Sequence, residues 1–256
     1  MKRAFIPIGH KILAFFDELG QITILTGQLI KRLFTEPFPM RRSLDQILQL
    51  GIASLPVTVI TAVFVGMAFT IQVVREFLRF GAGDMVGGVV GLAIWRELGP
   101  LLTGVVVAGR VGAAISAEIG TMKVTEQIEA LEAMSQDPVH YLVVPRVVAC
   151  TYMLPLLVGI ADIVGFLGGF VVAIASGRIN PYAYFSSAQS MLHTIDIAGG
   201  LIKAVFFGFT IALLSSYMGL NAKAGAKGVG EVTTKAVVIS LITVFILNYF
   251  LSLVTR

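Results

Sequence analysis

Residues 97–138 read ELGPLLTGVVVAGRVGAAISAEIGTMKVTEQIEALEAMSQDP, and two properties of this stretch decide the fold. Between Glu97 and Gly120, small residues recur every four positions at Gly104, Ala108, Gly112, Ser116 and Gly120. In a bilayer the lipid tails are as apolar as Leu, so helices associate through close backbone approach, which small residues at this spacing permit. Arg110 in the middle and Glu118 near one end point the same way, because a charge facing hydrocarbon costs roughly 2.5–3.5 kcal/mol or more. The span is therefore expected to pack against protein, with both charges turned to protein or water.

Beyond Gly120 the pattern changes. Residues 125–134 predict a short amphipathic helix, with Glu126, Glu129 and Glu132 in an acidic stripe and Ile128, Leu131 and Met134 in an apolar one. Thr125 suits the N-cap, Glu126 the positive first turn, and Pro138 biases Asp137 out of helix. A helix lying on a membrane surface carries Lys and Arg on its polar face. This one is acidic, so it is expected to dock on protein.

Composition agrees with a membrane location. Of 256 residues, 56% are hydrophobic and 13% charged, against about 25% charged in ordinary soluble domains, and mean hydropathy is +0.89. Apolar runs long enough to cross hydrocarbon are expected over 52–74, 86–120, 147–175, 204–220 and 236–253, with 86–95 either part of the second run or lying at the surface with Trp95 as an anchor. Residues 10–34 carry Ile12, Phe15, Phe16, Leu19, Ile22, Leu25, Leu29 and Leu33 at helical spacing but include Asp17 and Glu18. They are expected to lie in the interface with the apolar face in lipid, rather than to span. On the opposite side Asn180-Pro181 opens a helix over 181–192, Asn180 as cap and Pro181 in the first turn. The expected fold is thus all-α: an amino-terminal interfacial helix, five transmembrane helices, and the short helix between spans 2 and 3.

Loop charges set the orientation. Lys2, Arg3, Lys11, Lys31, Arg32, Arg41, Arg42, Lys123, Arg146, Lys223, Lys227 and Lys235 fall on the side of the amino terminus, and Arg75, Arg79, Arg178, Lys203 and Arg256 on the other. The positive side is cytoplasmic, so the amino terminus and the acidic helix are expected inside and the carboxyl terminus outside. The net charge of +4 is thereby topological and gives no sign of nucleic-acid binding. No small-residue cleavage site follows the first apolar run, so the mature chain is expected to begin near Met1.

Bond-breaking chemistry finds no support. Gly225-Ala226-Lys227-Gly228-Val229-Gly230 lacks the Gly-Lys-Ser/Thr of a phosphate loop and reads as a tight turn. His10, His140, His193 and the single Cys150 lie in separate segments without metal-ligand spacing. Arg110 and Asp162 are expected to pair across spans 2 and 3. Glu97, beside Gly99-Pro100 at a helix start, suits a polar headgroup, a cap or a pair with Arg96.

Taken together, Arg96–Pro100, Ala108–Ala114, Ala117–Met122, Thr125–Gln127, Asp137-Pro138, Val144–Arg146 and Gly228–Thr234 resemble the consecutive blocks of the MlaE-type permease family over nearly the whole chain. Gln136 departs mildly, since a small or apolar residue is usual there. The resemblance implies the membrane subunit of an ABC transporter that moves phospholipid or a related lipid between the bilayer and an outer MCE-type binding protein. It implies a homodimer enclosing an outward-facing apolar cavity, and a separate ATPase that carries ATP and Mg, so that this chain itself is neither enzyme nor cofactor-binding. By position it makes 125–134 the coupling helix and Glu97 an acidic residue near the lipid cavity. The implied location is the inner (plasma) membrane, or the inner envelope in a plastid lineage. The rival readings are a secondary transporter, which predicts an internal inverted repeat that is not evident, and a scaffold that anchors an outer protein without transport.

Overall fold

The computed structural model describes residues 2–37, 39–175 and 179–254, with side chains described at Leu13 and from Phe16 onward. Arg178 and Arg256 of the charge count, and the side chains of Lys2, Arg3, His10, Lys11, Ile12 and Phe15, lie outside the described residues. Every regular element among the described residues is helical. The chain begins with α1 (Lys2–Thr35) and α2 (Met40–Arg79), and then follows a single helical path from Gly83 to Val124 made of α3 (Val86–Ala93), α4 (Gly99–Val107) and α5 (Ala113–Val124). After α6 (Gln127–Ala133) come α7 (Val144–Ala175), α8 (Pro181–Met191), α9 (Thr194–Leu220) and α10 (Ala226–Val254). Five paths are long and apolar enough to cross a membrane: α2, Gly83–Val124, Val139–Ala175, α9 and α10.

Residues 86–95 belong to the second path, which turns through two π-bulges, at Ile94–Leu98 and Ala108–Gly112. Such bulges insert an extra residue per turn and frequently mark functional positions. Lys203, counted above among the outer loop charges, sits inside α9 and is fully buried. The predicted tight turn is shorter than expected, because residues 226–230 already form the first turns of α10 and the reversal is made at Gly225, where φ is +87°, a conformation open to glycine without penalty.

Helices meet through the backbone approach that small residues allow. α2 packs along α7, and a side chain on Gly66 would run into the carbonyl oxygen of Gly165, as one on Gly168 would meet that of Val63 at 2.9 Å. The small-residue ridge of the second path faces α9 and α10. Gly104 lies against Phe207 and Val244, and Gly120 against Ala222, Val229 and Val232, while Ala108 and Ser116 are fully buried. A Cβ on Gly112 would stand 2.9 Å from Ser215 Oγ. Gly112→Leu is accordingly expected to destabilise the chain by about 1–3 kcal/mol through overpacking, which a lowered unfolding midpoint in detergent would register.

α1 differs from its expectation in one respect. Phe16 and Leu19 are exposed, as a lipid-facing stripe requires, but Leu25 and Leu29 are buried in the protein core, with Ile22 and Leu33 packed against it. The second half of the stripe therefore docks on protein rather than lipid. Tyr217 on α9 donates a hydrogen bond to Gln21 Oε1 at 2.8 Å and fixes this contact.

Candidate functional site

Two polar layers interrupt the apolar bundle. The first forms where the second path bends at Trp95-Arg96-Glu97. Pro100 has no N–H to offer the carbonyl four residues back, and that Arg96 oxygen accepts from Lys203 Nζ at 2.8 Å. The same ammonium donates to Glu97 Oε1 at 2.8 Å and Ser252 Oγ at 2.8 Å, using all three of its hydrogens. Asn248 Nδ2 donates to Glu97 Oε2 at 3.1 Å. Arg96 turns instead to Asp196, whose second oxygen accepts from the His193 backbone N–H at 2.9 Å. Of the three roles open to Glu97 in the sequence, pairing with Arg96 is thus excluded. Its partners come from α9 and α10, more than a hundred residues away, and 38% of its side chain stays exposed.

The second layer lies at the end of the bundle that carries α6. Arg146 pairs with Glu118 at 3.0 Å and donates to the Leu142 carbonyl at 2.9 Å. Glu97 and Glu118 are 21 residues apart on one helical path, so at about 1.5 Å per residue the layers stand roughly 30 Å apart, the thickness of a hydrocarbon core.

At this end α5 stops at Val124 and α6 starts at Gln127. Thr125 is not the N-cap of α6: it closes α5, its hydroxyl donating to the Thr121 carbonyl at 2.8 Å. The same hydroxyl chemistry serves a helix interior or end as readily as a start, which is why the spacing misplaces it. Glu126 takes the capping position with φ +60°, and Ser135 after the helix has φ +58°. Left-handed non-glycine residues cost about 1–3 kcal/mol each and persist where the surroundings hold them, so both ends of α6 are sharp and fixed. Ile128 and Leu131 are buried, but Met134 is 64% exposed and leaves the apolar stripe, because the helix ends before its position completes the face. Glu126, Glu129 and Glu132 are exposed. A hydrogen bond from Lys123 holds the Glu129 carboxyl below the usual carboxylate range.

Sequence periodicity gave no sign of the clasp beside α6. Arg32 of α1 binds Asp137 at 2.6 Å and Glu36 at 2.5 Å, and Glu36 lies 3.2 Å from His140. Arg42 stacks 3.7 Å over the Tyr141 ring. The residues after α6 are thereby tied to α1, and the amino-terminal helix ends on the same face as α6. In a double-mutant cycle, Arg32→Ala and Asp137→Ala are expected to show a coupling energy of about 1 kcal/mol, read from unfolding midpoints.

The expected Arg110–Asp162 pair is not made. Asp162 is 1% exposed and packs on Gly99, filling the space a Cβ there would take. Gly99 and Arg110 are 11 residues apart, about 16 Å along the helix, beyond the reach of one side chain. Arg110 is exposed, at the second bulge.

A helical bundle with five candidate membrane crossings, held by small-residue contacts and presenting an exposed acidic helix at one end, has the build of a transporter's membrane subunit. Comparison with known proteins makes the class specific. The family model "Permease MlaE" matches residues 43–254, and the chain belongs to that family. A probable ABC transporter permease protein of Synechocystis sp. is 47% identical over 243 residues, covering 95% of this chain and 92% of the relative. One of Rickettsia typhi is 42% identical, covering 96% and 95%. The chloroplastic protein TRIGALACTOSYLDIACYLGLYCEROL 1 of Arabidopsis thaliana is 42% identical over 231 residues, covering 90% of this chain and 66% of the relative. The chain is thus an ABC transporter permease, a role that implies an ATPase partner.

Proposed function

We propose that this permease moves phospholipid or a related lipid between the membrane and an MCE-type binding protein on the outer side, working as a homodimer with a separate cytoplasmic ATPase that binds ATP and Mg. This chain supplies no cofactor site and breaks no bond. Its place is the inner (plasma) membrane, or the inner envelope of a plastid, with the amino terminus and α6 in the cytosol. The observation that carries the reading is the joining of family membership to an exposed acidic α6 braced at both ends.

Residues 125–134 act as the coupling helix. Ile128 and Leu131 seat α6 on the permease, and Glu126, Glu129 and Glu132 face the ATPase with Thr125 and Met134 at the edges. Closure of the ATPase pair moves α6 as a unit, because its left-handed ends do not absorb the motion. The movement passes through Thr125 into α5 and the small-residue ridge, and through Asp137 and Arg32 into α1. Glu97 stands at the outer polar layer, at the rim of the lipid cavity.

Reconstitution of the permease with its ATPase and binding protein in vesicles tests this. Labelled phospholipid is expected to pass between vesicle and binding protein only with hydrolysable ATP. Transfer at the same rate without ATP would indicate a passive scaffold and reject the proposal.

A further inference from the structure

Between the two polar layers stands one more charge. Arg110 lies 8 residues from Glu118 and 13 from Glu97 on the same path, about 12 Å and 20 Å at the α-helical rise, which places it well inside the apolar layer. Its side chain is exposed, and among the described residues its guanidinium makes no ion pair or hydrogen bond. The surface beside it is open, since nothing lies within 4 Å of the point where a Cβ on Gly109 would stand. A cation left facing hydrocarbon at this depth is strongly disfavoured, so in the membrane it meets a counter-charge or water.

Among the described residues, the carboxylates of the membrane-crossing paths are already paired, buried or far from its height. Glu97 is bound by Lys203, Asp196 by Arg96 and Glu118 by Arg146, and Asp162 is 1% exposed against Gly99. The other acids of the spans, Asp45, Glu76, Asp84 and Glu231, lie within the first or last six residues of their paths, far from the middle. A second copy of the chain brings a second Arg110 together with the same paired or buried acids of the spans. A counter-charge carried by a bound molecule satisfies this cation where the acids of the spans do not.

We infer that Arg110 binds the phosphate of a phosphate-bearing lipid inside the membrane, an intermediate station between the two polar layers. This rests on the lipid-permease reading and names one residue of its path. A guanidinium fits the group, because its planar fork donates two parallel hydrogen bonds to a phosphate, and the open surface at Gly109 leaves room for the approach.

The test is native mass spectrometry of the permease–ATPase complex in detergent micelles doped with phosphatidylglycerol or with diacylglycerol of the same chains. Arg110→Ala is expected to lower retained phosphatidylglycerol about tenfold or more, with Arg110→Lys between Ala and wild type, diacylglycerol unchanged and the ATPase still bound. Where Arg110→Ala fails to insert, Arg110→Lys against Arg110→Gln carries the comparison. Unchanged phosphatidylglycerol in a folded Ala or Gln variant overturns the inference, as does equal loss of both lipids. Displacement by millimolar inorganic phosphate as effective as by lipid would assign the residue to a soluble anion and overturn it as well. A wild-type complex that retains no ATPase would instead strike the permease reading itself.

Discussion

The double substitution Glu129→Lys with Glu132→Lys is expected to abolish co-purification of the ATPase while leaving the chain folded and inserted. Both side chains are exposed, whereas the anchoring residues Ile128 and Leu131 of the same helix are buried. Reversing the charges therefore removes no core contact. The one internal bond lost is that between Lys123 and Glu129, an exposed ion pair of small worth. A docking surface that loses two negative charges and gains two positive ones suffers repulsion wherever its partner is basic, and like charges set against each other across an interface cost several kcal/mol, more than enough to separate a complex of ordinary affinity. Pull-down from membranes reads the result directly, with gel-filtration behaviour of the solubilised permease as the control for folding. An intact complex in the double variant would show that the ATPase binds elsewhere.

The second large effect is expected at Lys203. Its ammonium is fully buried and holds together the bend of the second path, Glu97 and Ser252 of α10. Lys203→Met keeps the aliphatic stem but strands the carboxylate and frees the Arg96 carbonyl. Removing one partner of a buried pair costs about 3–5 kcal/mol, and the 38% exposure of Glu97 lets water recover part of it, so about 3 kcal/mol is expected. That corresponds to a fall in unfolding midpoint on the order of 10 °C for a chain of this size. Adding Glu97→Gln to Lys203→Met removes the stranded charge and is expected to restore part of the loss. A double variant less stable than Lys203→Met alone would show that the damage comes from packing and not from the unpaired carboxylate.

The spans were legible because each is a run near the length of the hydrocarbon core with few charges, a signal that needs no partner to be read. The ridge was legible for a similar reason: Gly104, Ala108, Gly112, Ser116 and Gly120 carry their spacing within one helix, and the contacts with Phe207, Val244 and Ser215 follow from it. What depends on residues distant in sequence was not. Trp95-Arg96-Glu97 looks like the end of a membrane segment until Asp196 and Lys203 neutralise its charges from α9, and Lys203 itself looks like a loop cation for the same reason. The Arg110–Asp162 expectation rested on opposite charges in neighbouring spans, a criterion blind to height. Thr125 and Glu126 show the limit at a helix junction, where a hydroxyl able to cap the next helix closes the preceding one instead and a glutamate takes the left-handed turn. The clasp of Arg32, Glu36, Asp137 and His140 joins segments about a hundred residues apart, and no local pattern announces it.

The chain has a single cysteine, Cys150, and it is buried, so Cys150→Ala gives a background in which one introduced thiol is read without interference. Glu129→Cys in that background, probed in sealed vesicles with a membrane-impermeant maleimide, tests the central claim most directly. Labelling is expected only from the cytoplasmic face, and it is expected to be blocked when the ATPase is bound. Labelling from the outer face, or labelling that the ATPase leaves unchanged, would contradict the role given to α6.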